Sequence, residues 1–405
     1  MRGIFRVAAG LLCVPASLAV VFGQGWREAA EARIDRIRKA ELVVRVEDSG
    51  GRPAPGVAVK IRMVRHAFGW GTAVAARQLL ASGEDAERYR RALLDNFNMA
   101  VLENDLKWPQ WEQNRTAALD ALKWLHANGI SRVRGHTLVW PGWRWLPKDL
   151  KELADDPAAL RKRVLDHIRD EVSATRGLLE DWDVVNEPYT NHDLLDILGR
   201  EEMVAWYQAA KEYDPKPTLF LNDFNIIEAG GRDVAHQEHF YGTIRFLLDR
   251  GAPLGGIGIQ GHFREPTPPE KILEILDRFA EFNLPIRITE FDFDTKDEQL
   301  QANFTRDVLT AFFSHPRVDA FLMWGFWEGR HWRPAGAMLR KDWSEKPNYK
   351  VWRELVHGRW RTDAEAATGP DGVMQTRAFR GEYEIRAGGK TVRASCPGVV
   401  RIRLD

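Results

Sequence analysis

Apolar runs short enough to be strands alternate along most of the chain with longer stretches whose apolar residues recur every three or four positions, the period of a helix with one buried face. The strands expected from this pattern are Phe68 to Val74, Asn98 to Glu103, Arg132 to Trp140, Asp181 to Asn186, Thr218 to Asn222, Gly255 to Gln260, Pro285 to Glu290 and Asp319 to Gly325. Helices are expected near Glu84 to Asn96, Ala117 to Asn128, Pro157 to Ala174, Glu201 to Tyr213, Asp233 to Arg250, Pro269 to Phe282 and Asp297 to Ser314, with a closing helix near Asn348 to His357. Eight strand–helix units in about 290 residues match the size and rhythm of an α/β fold of the (β/α)8 TIM barrel type. A doubly wound open sheet shares the alternation, but the count of eight favours the barrel. So do the polar residues that stand where each apolar run ends.

Small β additions flank this core. Leu42 to Val46 and Val57 to Val64 read as a β pair joined by the Gly/Pro-rich turn Ser49 to Gly56. In the tail, Gly388-Gly389 between Tyr383–Ala387 and Thr391–Ala394 is a hairpin signal, and the stretch around Thr362 to Gly372 reads as a linker. At the other end Arg2 and Arg6 precede an apolar or small run from Val7 to Phe22, closed by Gly23. This is the pattern of a cleaved secretory signal and is too short for a comfortable membrane span. The expected division is a signal peptide over 1–23, an N-terminal β extension over 24–65, the barrel over 66–361, and a linker with a short C-terminal β segment over 362–405. The expected location is secreted or periplasmic, with no membrane partner after cleavage. Cleavage would remove Cys13 and leave Cys396 alone, so no internal disulfide is expected.

Composition narrows the partners. Lys+Arg and Asp+Glu both number 58, and a neutral chain lacks the basic footprint that nucleic acid demands. The 16 Trp are in excess of what a core ordinarily needs and hint at ligands with flat, apolar faces. In a barrel, function sits where strands end. Reading those ends gives Glu103, Asn104 and Lys107; His136 and Trp140; Asn186 and Glu187; Asn222, Asp223 and Asn225; Gln260 and His262; Glu290 and Asp292; and Trp324. Two carboxylates at opposed strand ends suit glycoside hydrolysis, in which one acid protonates the leaving oxygen and a second carboxylate attacks or stabilises the sugar's cationic centre. Indole faces bind the apolar faces of sugar rings, while amides and imidazoles bond their hydroxyls.

Other signals fail their context tests. The run Gly256 to Gly261 fits G-x-G-x-x-G but is followed by His262-Phe263-Arg264 rather than an opening helix, which excludes a dinucleotide site. His236 and His239 lack zinc-protease spacing and read as surface histidines. The Arg- and Lys-bearing C-terminal hairpin reads as a solvated face. Neither a metal nor a cofactor is called for.

The runs Trp182-Asp183-Val184-Val185-Asn186-Glu187-Pro188 and Ile288-Thr289-Glu290-Phe291-Asp292 resemble the two catalytic signatures of glycoside hydrolase family 10, the retaining endo-β-1,4-xylanases. Gly135-His136-Thr137-Leu138-Val139-Trp140, Gly258-Ile259-Gln260-Gly261-His262 and Trp324-Gly325 support the likeness, which covers about Phe68 to His357. The resemblance implies Glu187 as acid/base and Glu290 as nucleophile, acting on xylan as a secreted monomer. It implies that Asn186 bonds the 2-hydroxyl of the sugar at the −1 subsite, lined also by His136, Trp140, Gln260, His262 and Trp324. Gln260 would touch the nucleophile, and Asp292 would orient His262. Glu103, Asn104 and Lys107 would serve the −2 subsite, and Trp332 would roof the bound chain. A cis peptide between His136 and Thr137 is implied as well. The sequence departs from the family pattern at Pro141, at Trp143, where a glutamine of the −2 subsite is expected, at Phe224, where an aromatic hydroxyl is expected, and in the loop from Phe326 to Arg333. A related β-1,4-glycanase with another preference, and a carbohydrate-binding protein on the same fold, stand as alternatives.

Overall fold

The computed structural model describes the backbone from Ser17 to Asp405 and side chains from Gly25 onward, so the side chains of the expected leader lie outside the described residues. Strands are numbered in chain order. β1 (Lys39–Glu47) and β2 (Ala58–His66) precede the barrel strands β3 (Gly69–Val74), β4 (Met99–Leu102), β5 (Arg132–Val139), β6 (Asp181–Asn186), β7 (Thr218–Asp223), β8 (Gly256–Ile259), β10 (Ile286–Phe293) and β11 (Val318–Met323). These eight pair in parallel in that order, and β11 pairs back onto β3, closing a (β/α)8 barrel. All eight expected strands are present within a few residues of their expected ends. β9 (His262–Phe263) is a two-residue continuation of the β8 chain that pairs with Asp292 and Phe293 of β10 and so carries the barrel wall upward there.

The sequence accounts for this packing locally. Several helices start at an aspartate whose carboxylate accepts free backbone N–H groups: Asp156 from Ala159, Asp233 from His236, and Asp297 from Gln299 and Leu300. Gly135 is required by close approach, since a Cβ there would lie 2.2 Å from the Trp182 ring of β6. Two helices differ from expectation. The second begins at Trp108 rather than Ala117 and bends at Asn114, where φ is −156°. The closing helix loosens after Trp352 into a π-helical turn over Arg353–Arg359.

The barrel floor is charged rather than apolar. Arg134 of β5 donates to Asp181 at 2.7 Å and to Asp183 at 2.5 Å, both on β6, with all three side chains fully buried. Arg287 of β10 reaches Asp181, Glu180 and Asp319. Truncating one member would leave an uncompensated buried charge, a loss of about 3–5 kcal/mol.

The flanking β segments differ from expectation in how they pair. β1 and β2 are not partners. β1 lies between β13 (Val373–Phe379) and, in parallel, β16 (Gly398–Arg403). β2 lies between β12 (Asp363–Ala367) and β14 (Gly381–Ala387), and β14 forms the expected hairpin with β15 (Lys390–Cys396). The expected linker around Thr362 to Gly372 thus contains a strand. Both sheets bury alternate residues, Leu42, Val44 and Val46 from β1 and Val59, Ile61 and Met63 from β2, in one hydrophobic cluster. The Cys396 thiol of β15 donates across to Ala378 of β13 at 3.4 Å. The helix Ser17–Arg38 takes in the last residues of the expected leader and the first part of the expected β extension, and it docks on the barrel helix Glu298–Ser314. There Arg27 pairs with Asp307, and Arg38 donates to the carbonyls of Phe313, His315 and Val318.

Candidate active site

The strand ends converge on a cavity of about 880 Å3 whose walls include Glu103, Asn104, Lys107, His136, Trp140, Glu187, Gln260, His262, Glu290, Trp324 and Trp332. Asn186 lies under it, fully buried, and Asp292 stands behind His262. All of the sequence-selected residues are therefore brought together.

Glu290 sits within β10 and is 4% exposed. Its Oε1 accepts from Asn222 Nδ2 at 2.8 Å, and the same amide nitrogen reaches Asn186 Oδ1 at 2.9 Å. Asn222 is itself fixed by the Thr289 hydroxyl, which donates to its Oδ1 at 2.7 Å. Glu290 Oε2 lies 3.2 Å from His262 Nε2, and His262 Nδ1 lies 3.0 Å from Asp292 Oδ2. Burial by itself would discharge this imidazole, but the two carboxylates outweigh it and push its pKa up to about 10, so both ring nitrogens carry protons at neutral pH. Asp292 is held in turn by Trp332 Nε1 at 2.7 Å and Arg333 at 3.2 Å. For Glu290 burial pushes the pKa up, yet His136, His262 and Lys107 together bring it below the ordinary carboxylate value. His136 Nδ1 is 4.0 Å from Glu290 Oε1 and 2.9 Å from Asp183 Oδ2, which ties the site to the charged floor.

Glu187 is one residue past the end of β6, on a left-handed backbone with φ 52°, a conformation that costs a non-glycine residue roughly 1–3 kcal/mol. Its N–H donates to the Asn222 carbonyl at 2.9 Å, which pins the turn to β7. Its carboxylate accepts from Gln260 Nε2 at 2.8 Å and from Asn191 Nδ2 at 3.3 Å. Burial, followed by the charges of Asp223 and Glu290, pushes its pKa up to about 8 against the opposing bond from Gln260. The geometry corrects one expectation: Gln260 bonds Glu187 rather than Glu290.

The site is therefore a cleft with two carboxylates held in opposite protonation states, reached by indoles and amides. Buried Asn186 Nδ2 and Trp140 Nε1 have no hydrogen-bond partner among the described residues, which leaves both donors available to a ligand. Among the described residues no group of His, Cys, Asp and Glu is arranged to hold a metal ion. A family model for glycosyl hydrolase family 10 matches residues 61–354, the barrel with the end of β2. The chain belongs to glycosyl hydrolase family 10.

Curated relatives include the anti-sigma-I factor RsgI6 of Acetivibrio thermocellus, 32% identical over 90% of this chain and 47% of that protein. They also include endo-1,4-beta-xylanase 1 of Arabidopsis thaliana, 28% identical over 87% of this chain and 36% of that protein. The chain thus spans less than half the length of either. Among solved structures, native xylanase 10B from Thermotoga maritima superposes with a TM-score of 0.65 at 28% identity, over 72% of this chain and 96% of that one. Xylanase 10B from Thermotoga petrophila RKU-1 in complex with xylobiose gives 0.64 at 27%, over 72% and 95%.

Within this family 10 fold, several side chains stand where the sequence reading did not put them. Trp108 and Trp111, which follow β4, are buried in the early turns of the helix that starts at Trp108 rather than in the cleft. Trp108 stacks on His167 with ring centres 3.9 Å apart. Trp145, not Trp143, reaches the cavity, stacked on Trp140 at 3.9 Å and 9° and donating to Asn191 at 3.0 Å. His236 is not a surface residue. It is 1% exposed, and its Nε2 lies 3.0 Å from Asp223 Oδ1. Asn222 and Asp223 were legible only as polar strand-end residues, because Asn222 finds its partners on β6 and β10 and Asp223 finds His236 on a helix; Asn191 carried no signal of its own. The His136–Thr137 peptide is cis.

Proposed function

We propose that the protein is a secreted, retaining endo-β-1,4-xylanase that cleaves internal bonds of xylan by double displacement. The observation that carries this reading is the opposed charging of two carboxylates in one cleft. Glu290, kept ionised by His262 and its neighbours, serves as nucleophile. Glu187, kept protonated to about pH 8 by burial and Asp223, donates its proton to the leaving oxygen. Once Glu290 carries the sugar its negative charge is gone. The upward push on Glu187 then weakens, and Glu187 can take a proton from the water that releases the product.

The free amide of Asn186 bonds the 2-hydroxyl of the sugar at the cleavage point, a contact that strengthens as positive charge develops in the ring. Trp324 and Trp140 supply the apolar walls, and Glu103, Asn104 and Lys107 bond the next sugar outward. The names of the relatives and neighbours support xylan over other β-1,4 polymers. Monomeric state belongs to the same reading, and so does export through the residue 1–23 leader. The test is reducing-end release from xylan, cellulose and mannan, paired with labelling by a 2-fluoro-xylobioside. A covalent adduct on Glu290 and preference for xylan are expected. Absence of any adduct would favour a carbohydrate-binding protein, and faster release from cellulose or mannan would favour another glycanase.

A further inference from the structure

The two ends of the cleft are built differently. Glu103, Asn104 and Lys107 follow β4, the second barrel strand, and lie beside the stacked Trp140 and Trp145. Across the barrel the wall is formed by Phe224 and Asn225, which follow β7, and by Arg264 and Glu265, which follow β8 and β9. Arg264 is the exception in a chain where most charges near the site are engaged. It lines the cleft, is exposed, and makes no hydrogen bond, ion pair or ring contact with any described residue. Its neighbour Glu265 does not neutralise it, because Glu265 is paired with Arg232. Glu228, also in the wall, is consumed by the backbone N–H groups of Gly261, His262 and Ile227 at 3.0, 3.1 and 3.0 Å.

The backbone that carries Arg264 is braced on both sides. Before it, β9 pairs with β10, and the Phe263 carbonyl accepts from the Asp294 N–H at 3.0 Å. After it come Pro266, the buried Thr267, whose hydroxyl donates to the Ile227 carbonyl at 2.7 Å, and Pro268. A guanidinium on a fixed base, facing the substrate path with no internal acceptor, is arranged for a carboxylate or similar planar anion brought by the ligand. A plain xylan backbone carries no such group. A uronic acid side branch does.

We propose that Arg264 pairs with the carboxylate of a uronic acid side group on xylan, at a sugar on the leaving-group side of the bond that is cut. The inference rests on the xylanase reading above and specifies its substrate class as acidic, branched xylan. The pairing is with the side group, so it selects among chains without taking part in bond cleavage. Because the guanidinium is exposed, the pairing is screened by salt, over a distance of about 8–10 Å at 0.1–0.15 M ionic strength.

The experiment measures kcat/KM on uronic-acid-branched xylan and on linear unbranched xylan for the wild type, Arg264→Ala and Arg264→Lys, at low salt and in 0.5 M NaCl, with the products sequenced by mass spectrometry. The wild-type ratio of acidic to linear xylan is expected to exceed one. It is expected to fall about three- to tenfold in Arg264→Ala, to fall less in Arg264→Lys, and to shrink in high salt. The leaving-group product is expected to carry the uronic acid near its new non-reducing end. An unchanged ratio in Arg264→Ala, or an equal loss on both substrates, overturns the proposal while leaving the xylanase reading in place. If the wild type cuts neither xylan, the xylanase reading fails and the proposal fails with it.

Discussion

Glu290 and Glu187 present the same side chain to the same cleft from two differently built pockets. Glu290 is inside a strand, on extended backbone, and is met by donors: an asparagine amide, an imidazole protonated on both nitrogens, and a half-buried lysine within its field. Glu187 is beyond a strand end, on left-handed backbone, bonded by two amides and faced by the carboxylate of Asp223. Glu290 is buried and Glu187 half-buried, and desolvation alone would favour the protonated form of both. What separates them is the sign of the groups around each. One barrel thus supplies a base and an acid from identical residues, and the difference can be dismantled group by group.

The largest effect is expected from Glu290→Ala. Loss of the attacking atom should lower kcat on xylan by on the order of 10^5 to 10^6, with an unaltered far-UV circular dichroism spectrum and thermal midpoint. Retained turnover would remove Glu290 as nucleophile. Next comes Glu187→Ala, which should cost roughly 10^2 to 10^4 on xylan, whose leaving oxygen needs a proton. It should cost far less on an aryl xyloside whose leaving group is already stable as an anion. Equal losses on both substrates would show that Glu187 is not the acid.

His262→Gln tests what keeps Glu290 ionised. The substitution removes a positive charge, so the pKa of Glu290 should rise, and the acidic limb of the kcat/KM profile should move to higher pH by about one unit. An acidic limb that stays in place would exclude His262 from that role. The smallest effects separate the neighbours of Glu187 by sign. Asp223→Asn removes a negative charge and should move the basic limb, set near pH 8, downward by about half a pH unit. Gln260→Ala removes a donor to the ionised form and should move the same limb upward by a similar amount. Shifts in the same direction would show that the limb reports another group.

The barrel was legible because its evidence is local. Each strand is a short apolar run with a polar exit, and several helix starts are marked by an aspartate such as Asp156 or Asp297. The list of site residues was legible for the same reason, since strand ends converge in this fold whatever their contacts. What could not be read is who touches whom. Gln260 stands on β8's exit with both carboxylates within the same cavity, and only the packed geometry decides that it bonds Glu187. Trp108 follows a strand end as the cleft residues do, but its place on the first turn of a helix sets it in the core against His167. His236 looked solvent-bound because its acceptor, Asp223, lies on a separate element. The flanking sheets failed for the same physical reason on a larger scale, because the partners of β1 and β2 lie roughly 300 residues away.

That separation has a consequence during synthesis. β1 and β2 leave the ribosome roughly 300 residues ahead of every strand they pair with. At about 5–20 residues per second, roughly 300 intervening residues take on the order of 15–60 s to translate. Through that interval two apolar-faced strands have all of their edges unpaired while the barrel between them takes shape. The later strands then arrive as a clasp that closes both sheets. A ribosome stalled before Asp363 would hold a complete barrel with an open, adhesive β surface.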